Sequence, residues 1–169
     1  MSTDITLVLG GARSGKSRYA EGLVTASPGP RVYIATAQVW DSEMADRVAR
    51  HKQDRGPGWT TVEEPLDLPG ALRRHAGSGA NVLVDCLTLW LSNLMMADAD
   101  VPARSTELLA ALAGVEGRVV LAPPRGRRRH HLEKTRHRPV SHIAELRHAA
   151  ITSGRHPPSI YVAAGPPAT

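Results

Sequence analysis

The chain has 169 residues, 41% hydrophobic but only 4% aromatic and without Phe, which fits one domain with an aliphatic core. Its single cysteine, Cys86, excludes an intrachain disulfide, and its apolar runs break well short of the ~20 residues of a membrane span. The formal charge of +5 averages two unlike parts: residues 118–169 hold ten Lys/Arg against two acids, Glu133 and Glu145, and the rest hold eleven against fourteen.

The first residues carry no basic stretch, long apolar segment or cleavage site, so a cytoplasmic protein without a membrane span is expected. The apolar run at 5–9 predicts a strand buried on both faces of a parallel sheet. Gly10-Gly11-Ala12-Arg13-Ser14-Gly15-Lys16-Ser17 follows it, and 17–25 reads as a helix stopped by Ser27-Pro28-Gly29-Pro30. Residues 31–36 predict a second strand. Asp41 or Ser42 then caps a helix running to about Arg55, with Met44, Val48 and His51 on one face, ended by Gly56-Pro57-Gly58. A short extended segment at 59–62 leads to Glu63-Glu64-Pro65, and 66–75 reads as a weak helix. Residues 81–85 form a third core strand, 87–96 a hydrophobic helix, 106–112 an amphipathic helix and 118–121 a further strand. Beyond Leu121 the pattern decays into Ala122-Pro123-Pro124 and Arg125-Gly126-Arg127-Arg128-Arg129-His130-His131, with a helix expected at 141–151 and a terminal strand at 160–165. Strands alternating with helices predict a single α/β domain with a largely parallel sheet.

Residues 10–17 match GxxxxGK[ST], the phosphate-binding P-loop, in its proper place between strand and helix. Gly10 and Gly15 permit backbone angles that turn main-chain N–H groups, among them those of Gly11, Ala12, Arg13 and Ser14, toward phosphate oxygens. Lys16 adds a cation for the β- and γ-phosphates, Ser17 a hydroxyl for Mg²⁺, and the helix dipole a further positive potential. Asp85 ends a hydrophobic strand, where a second Mg²⁺ ligand sits in such proteins; the alternative is that it caps the following helix. His51 lies among Arg47, Arg50, Lys52 and Arg55. A neutral imidazole there is a nucleophile toward phosphorus, and the cations would hold phosphates; the plainer alternative is a histidine packed beside Met44 and Val48. Glu43 and Arg47, four residues apart, are expected to form a surface ion pair. Lys16 and His51 are the candidate catalytic residues.

In the form GGARSGKS, Gly10 to Ser17 resembles the bifunctional adenosylcobinamide kinase / adenosylcobinamide-phosphate guanylyltransferase family of cobalamin assembly. Further likenesses are Tyr33-Ile34-Ala35-Thr36-Ala37-Gln38, Asp41-x-Glu43-Met44-x-x-Arg47-Val48-x-x-His51-Lys52, Trp59-x-Thr61-x-Glu63-Glu64-Pro65 and Asp85-Cys86-Leu87-Thr88-Leu89-Trp90-Leu91-Ser92-Asn93-Leu94. Together they run through residues 4–121. The resemblance implies a P-loop (RecA-like) fold and two reactions. ATP or GTP phosphorylates the cobinamide aminopropanol hydroxyl, and a histidine matched by His51 then carries GMP from GTP to the cobinamide phosphate. It further implies that Ile34, Ala35, Thr36, Lys52, Gln53, Asp54, Arg55, Glu63 and Asp85 contact the guanine nucleotide or metal. Ser17 and Asp85 would hold Mg²⁺, and the assembly would be a homotrimer.

After Leu121 the family continues with a segment like Asn-Glu-Val-Gly-x-Gly-Ile and an Ala-Arg-x-Phe-Arg helix, which this chain lacks. A local displacement of the reading frame, from about Ala122 to the 150s, would account for that. Arg125 to His131, written CGA GGT CGG CGG CGG CAT CAT, reads Glu-Val-Gly-Gly-Gly-Ile when started one base later. Arg138-Pro139-Val140-Ser141 likewise becomes Ala-Arg-Phe-Arg from CGC CCG GTT TCG C. As written, the segment would leave residues 122–158 poorly patterned and activity impaired. Two other readings stand beside the transferase: another small-molecule P-loop kinase, and a non-catalytic basic protein binding nucleic acid through Arg125 to Arg138. The absence of interleaved aromatics speaks against nucleic acid.

Overall fold

The computed structural model describes residues 4–9, 15–38, 42–77, 79–122 and 160–162. In chain order these form β1 (Asp4–Leu9), α1 (Lys16–Thr25), β2 (Arg31–Ala35), α2 (Ser42–Asp54), β3 (Trp59–Glu63), α3 (Leu68–His75), β4 (Asn81–Asp85), α4 (Leu87–Met96), α5 (Val101–Ala113), β5 (Arg118–Ala122) and β6 (Ile160–Val162). The strands lie in the order β3-β2-β4-β5-β1-β6, and every neighbouring pair is parallel. The α/β, P-loop NTPase-like architecture expected from the sequence is therefore present. One strand, β5, stands between β1 and β4.

Both faces of the sheet are covered, which is why its strands read as unbroken apolar runs. On one face Val8, Tyr33, Ala35, Leu83, Val120 and Ala122 pack against Ala20 and Val24 of α1. On the other, Val32, Ile34, Val82, Val84, Val119 and Leu121 meet α3, α4 and α5 through residues such as Leu68, Leu72, Trp90, Leu91 and Leu108. Each fully buried aliphatic side chain contributes about 1.5–3 kcal/mol by leaving water. Right-handed crossovers put α1 and α2 on one side and α3 to α5 on the other. Among the described residues, α2 gives none to either buried cluster.

Polar groups close the edges. Arg118 at the start of β5 donates from Nε to Asp4 Oδ2 at 2.9 Å and from Nη1 to the Leu23 carbonyl at 3.0 Å, tying β5, β1 and α1 together. Before β5, Gly117 adopts φ 149°, and a Cβ there would stand 2.5 Å from the Ala80 carbonyl oxygen.

Several boundaries differ from the sequence expectation. The helix expected at 106–112 is α5, Val101–Ala113, because Asp100 caps it by accepting from Ala103 N–H at 3.0 Å and Pro102 suits its first turn. The helix expected from residue 66 begins at Leu68, where Asp67 accepts from Gly70 N–H at 3.1 Å. The terminal strand is described for Ile160–Val162, pairing with β1. The expected helix at 141–151 and the basic segment from Arg125 lie outside the described residues, as does the alternative cap Asp41.

Asp67 ties α3 to α5. Besides capping α3 it pairs with Arg104 of α5 at 3.1 Å and Arg74 of α3 at 3.5 Å. Burial alone would raise its pKa, but the Gly70 N–H, Arg104 and Arg74 together hold the carboxyl below its ordinary value. A lowered folded-state pKa stabilises the fold above the unfolded value, and that contribution is lost as pH falls through the folded one. Asp67→Asn, which keeps a capping side chain, should melt below the wild type at pH 7, with the difference beginning to shrink only as pH falls below about 4 in melts recorded across pH.

Candidate nucleotide site at the carboxyl edge of the sheet

Because the strands are parallel, β1, β2, β3 and β4 all deliver their carboxyl ends to one edge. Register makes this a row. Glu63 pairs with Ala35, Ala35 with Asp85, and Asp85 with Ala122. At about 4.8 Å per strand, Glu63 and Asp85 stand about 10 Å apart. By strand alternation they share the face of Tyr33, Ala35 and Leu83, the face that α1 covers.

The phosphate-loop motif enters the same edge. Residues 10–14 lie outside the described residues, but both ends of the loop are in place. Gly15 takes φ 72° as the N-terminal cap of α1, a left-handed conformation that a side chain would strain, and its carbonyl accepts from Tyr19 N–H at 3.0 Å. Lys16 and Ser17 are half-buried in the first turn, which holds no acidic residue to oppose the positive end of the helix. Since Leu7 pairs with Leu121 and Asp85 with Ala122, the loop leaves β1 just above the level of Asp85, two strands away.

Asp85 does not cap the helix after it. Cys86 does, its Sγ accepting from Leu89 N–H at 3.4 Å. The Asp85 carboxylate instead takes a hydrogen bond from the Tyr33 hydroxyl at 2.5 Å. The end of β2 is pinned alongside. Ile34 and Thr36 are fully buried and Ala35 nearly so. The Thr36 hydroxyl accepts from Cys86 N–H at 2.8 Å and donates to the Cys86 carbonyl at 2.7 Å. Asn93 Nδ2 donates to the carbonyls of Thr36 at 2.7 Å and Pro65 at 3.0 Å, joining the segments after β2 and β3. The side chains of Ile34 and Thr36 thus face the interior, and these residues shape the edge rather than line its opening.

On α2, Val48 and His51 are half-buried, and Arg50, Lys52, Gln53 and Asp54 are exposed. Glu43, Met44 and Arg47 are outside the residues whose side chains are described. Arg55, one turn after His51 and donating its backbone N–H to the His51 carbonyl at 3.3 Å, folds back over the sheet. Its guanidinium carbon lies 3.4 Å from the centre of the Tyr33 ring. His51 is therefore about 6 Å along the helix axis from the residue that covers the Tyr33–Asp85 pair. The sequence reading missed Tyr33, Cys86 and Asn93 as parts of this edge. A lone tyrosine within an aliphatic strand of a Phe-free chain was the available signal.

Among the described residues no group of three His, Cys, Asp or Glu could hold a metal. The hard oxygens of Ser17 and Asp85 nevertheless suit Mg²⁺, which keeps waters and substrate phosphate oxygens and needs few protein ligands. Among the described residues no helix is long and apolar enough to cross a membrane.

With this geometry, the sequence pattern of the cobinamide kinase / cobinamide phosphate guanyltransferase family matches residues 6–123. The chain belongs to that family. It is 49% identical over 117 residues to the bifunctional adenosylcobalamin biosynthesis protein CobP of Pseudomonas aeruginosa, covering 68% of each chain. The bifunctional adenosylcobalamin biosynthesis proteins CobU of Escherichia coli and Salmonella typhimurium are 44% and 42% identical, over 53% and 54% of this chain. The match spans about half the length of those two relatives, 49% and 50%. Members of the family are kinase/guanylyltransferase enzymes of cobalamin biosynthesis.

Thr36→Val should keep the shape of the buried residue while removing the hydroxyl that bonds both the Cys86 N–H and carbonyl; the carbonyl keeps its bond from Trp90 N–H at 3.2 Å. A loss of about 1–3 kcal/mol in denaturant unfolding is expected, with weakened nucleotide binding as the β2 end loosens from β4.

Proposed function

We propose that the chain phosphorylates adenosylcobinamide and then transfers GMP from GTP to the adenosylcobinamide phosphate through His51. The observation that carries this is the convergence, on one edge and one face, of the Lys16–Ser17 helix start, the Glu63–Ala35–Asp85 row and the Arg55 end of the His51 helix.

In the first reaction the aminopropanol hydroxyl attacks the γ-phosphorus of ATP or GTP, the bond to the β,γ-bridging oxygen breaks, and the nucleoside diphosphate leaves. In the second, an imidazole nitrogen of His51 attacks the α-phosphorus of GTP and pyrophosphate departs. A cobinamide phosphate oxygen then attacks that phosphorus, the P–N bond breaks, and the imidazole is restored. Lys16 and the loop from Gly10, Gly11, Ala12, Arg13, Ser14 and Gly15 would hold the phosphates, and Lys52 and Arg55 would offset charge as it develops. Ile34, Ala35, Thr36, Gln53, Asp54 and Glu63 would form or support the guanine-nucleotide pocket. Ser17 and Asp85 would hold Mg²⁺, which neutralises phosphate charge when bound.

The same reading makes the protein a cytoplasmic homotrimer without nucleic-acid partners, to be checked by light scattering. The family match ends at residue 123, close to where the sequence departs from the family pattern. We infer a local reading-frame displacement from there to the 150s; gene sequence whose codons do not yield the family pattern in the shifted frame would refute it.

Incubation with α-labelled GTP and Mg²⁺ should give acid-labile, base-stable label on the protein, and His51→Ala should lower it at least 100-fold, about the range set by loss of a nucleophile. Label that persists in the variant removes His51 from the chemistry. Phosphorylation of a small alcohol with no protein label in the wild type would favour another P-loop kinase. Salt-sensitive RNA binding that survives Lys16→Ala, with no nucleotide turnover, would favour the basic binding protein.

A further inference from the structure

Tyr33 sits mid-strand in β2, 6% exposed, between the aliphatic residues Val32 and Ile34. Three groups converge on it. Its hydroxyl donates to Asp85 Oδ2 at 2.5 Å, Arg55 covers its ring face at 3.4 Å, and Trp59 meets it edge-on with ring centres 6.4 Å apart. A phenylalanine would fill the same volume, so packing alone does not call for the hydroxyl.

The hydroxyl fixes the rotation of the Asp85 carboxylate. With Oδ2 held by the phenol, Oδ1 is presented in a defined direction, as outer partners of metal-binding carboxylates do. The ring does the corresponding work for Arg55. Among the described residues, Nε and Nη1 of that guanidinium are buried without a hydrogen-bond partner, and attraction to the ring face holds the group where it lies. A planar fork held by its face keeps its donors for an anion.

We infer that Tyr33 is a positioning residue with two separable actions: its hydroxyl orients Asp85 toward the metal, and its ring sets Arg55 toward the nucleotide. This rests on the nucleotide-transfer reading above. The residue touches neither reacting phosphorus nor imidazole in that reading, so its effects pass through Asp85 and Arg55.

The two actions separate in Tyr33→Phe and Tyr33→Leu, titrated with GTP by calorimetry in EDTA and in Mg²⁺, with thermal melts as a folding control. Tyr33→Phe keeps the ring. Its affinity for GTP in EDTA should stay within about 2-fold of wild type, while the Mg²⁺ concentration for half-maximal α-label incorporation rises about 10-fold and most of the Mg²⁺-dependent gain in GTP affinity is lost. Tyr33→Leu should weaken GTP binding several-fold even in EDTA, because Arg55 loses its support. A Tyr33→Phe protein with the full Mg²⁺ gain overturns the first action, and a folded Tyr33→Leu protein with wild-type EDTA affinity overturns the second. Variants that lose binding only in proportion to their unfolded fraction overturn both. A wild type that acquires label while both variants match it sinks this inference alone. A wild type that binds GTP but never acquires label sinks the transfer through histidine, with the binding readouts still deciding Tyr33; one that binds no GTP sinks both.

Discussion

The common direction of the strands is the constraint on which the rest depends. A parallel ladder cannot turn back on itself, so each strand must be followed by a crossover, and each crossover leaves from the same edge. That edge collects the start of α1, the end of β2 with its pinned Thr36, Glu63 and Asp85. In-register pairing puts Glu63, Ala35 and Asp85 side by side, though they are far apart in the chain. A slip of one residue in β4 would turn Asp85 to the opposite face and Cys86 toward α1. The buried valines on either side of the sheet make such a slip costly, so apolar packing fixes the placement of the carboxylate.

Above the ladder the irregular segments are held by hydrogen bonds to buried partners. Thr36 satisfies both polar groups of the Cys86 backbone, Asn93 bridges the carbonyls of Thr36 and Pro65, and Trp90 Nε1 donates to the Leu66 carbonyl at 2.8 Å. Each such bond adds only about 1 kcal/mol net, but an unpaired buried group costs more than a made bond contributes. The segments after β2, β3 and β4 therefore have few alternative positions. By contrast, the residue after the His51 helix is attached to the sheet by a cation over a ring, and the described residues of that helix add nothing to the buried clusters.

Most elements were legible from local pattern. The apolar runs of β1, β2, β4 and β5, the breaker at Pro28-Gly29-Pro30 and the helix of Leu87–Met96 are signals carried by neighbouring residues. The misses have a different origin. The start of α5 lies ahead of the apolar period and is set by the capping signals Asp100 and Pro102. Asp85 was read as either ligand or cap; its hydrogen bond comes from Tyr33, 52 residues away, and the cap comes from a cysteine, an uncommon choice. Thr36, expected from the resemblance to contact the nucleotide, has a fully buried side chain bonded to the Cys86 backbone, a role no local signal shows. Partners brought together only by strand order leave no mark on local spacing, so the candidate residues are legible in the sequence while their supports are not.

One phosphate loop can serve both proposed reactions for a reason that lies in the leaving groups. Transfer of the γ-phosphoryl group expels a nucleoside diphosphate, and attack at the α-phosphorus expels pyrophosphate. The β-phosphate belongs to the departing fragment each time, and it gains negative charge each time. In the proposed reactions the phosphate loop that ends at Lys16 would hold that phosphate, so the same donors would oppose the charge that develops in either step. What must differ is the nucleophile and the phosphorus it reaches: an alcohol of the substrate at one end of the triphosphate, the imidazole of His51 at the other. With Arg55 turned inward over Tyr33, α2 would supply that second approach without rebuilding the first. Separating the two activities by substitution should therefore succeed on α2 and fail in the loop.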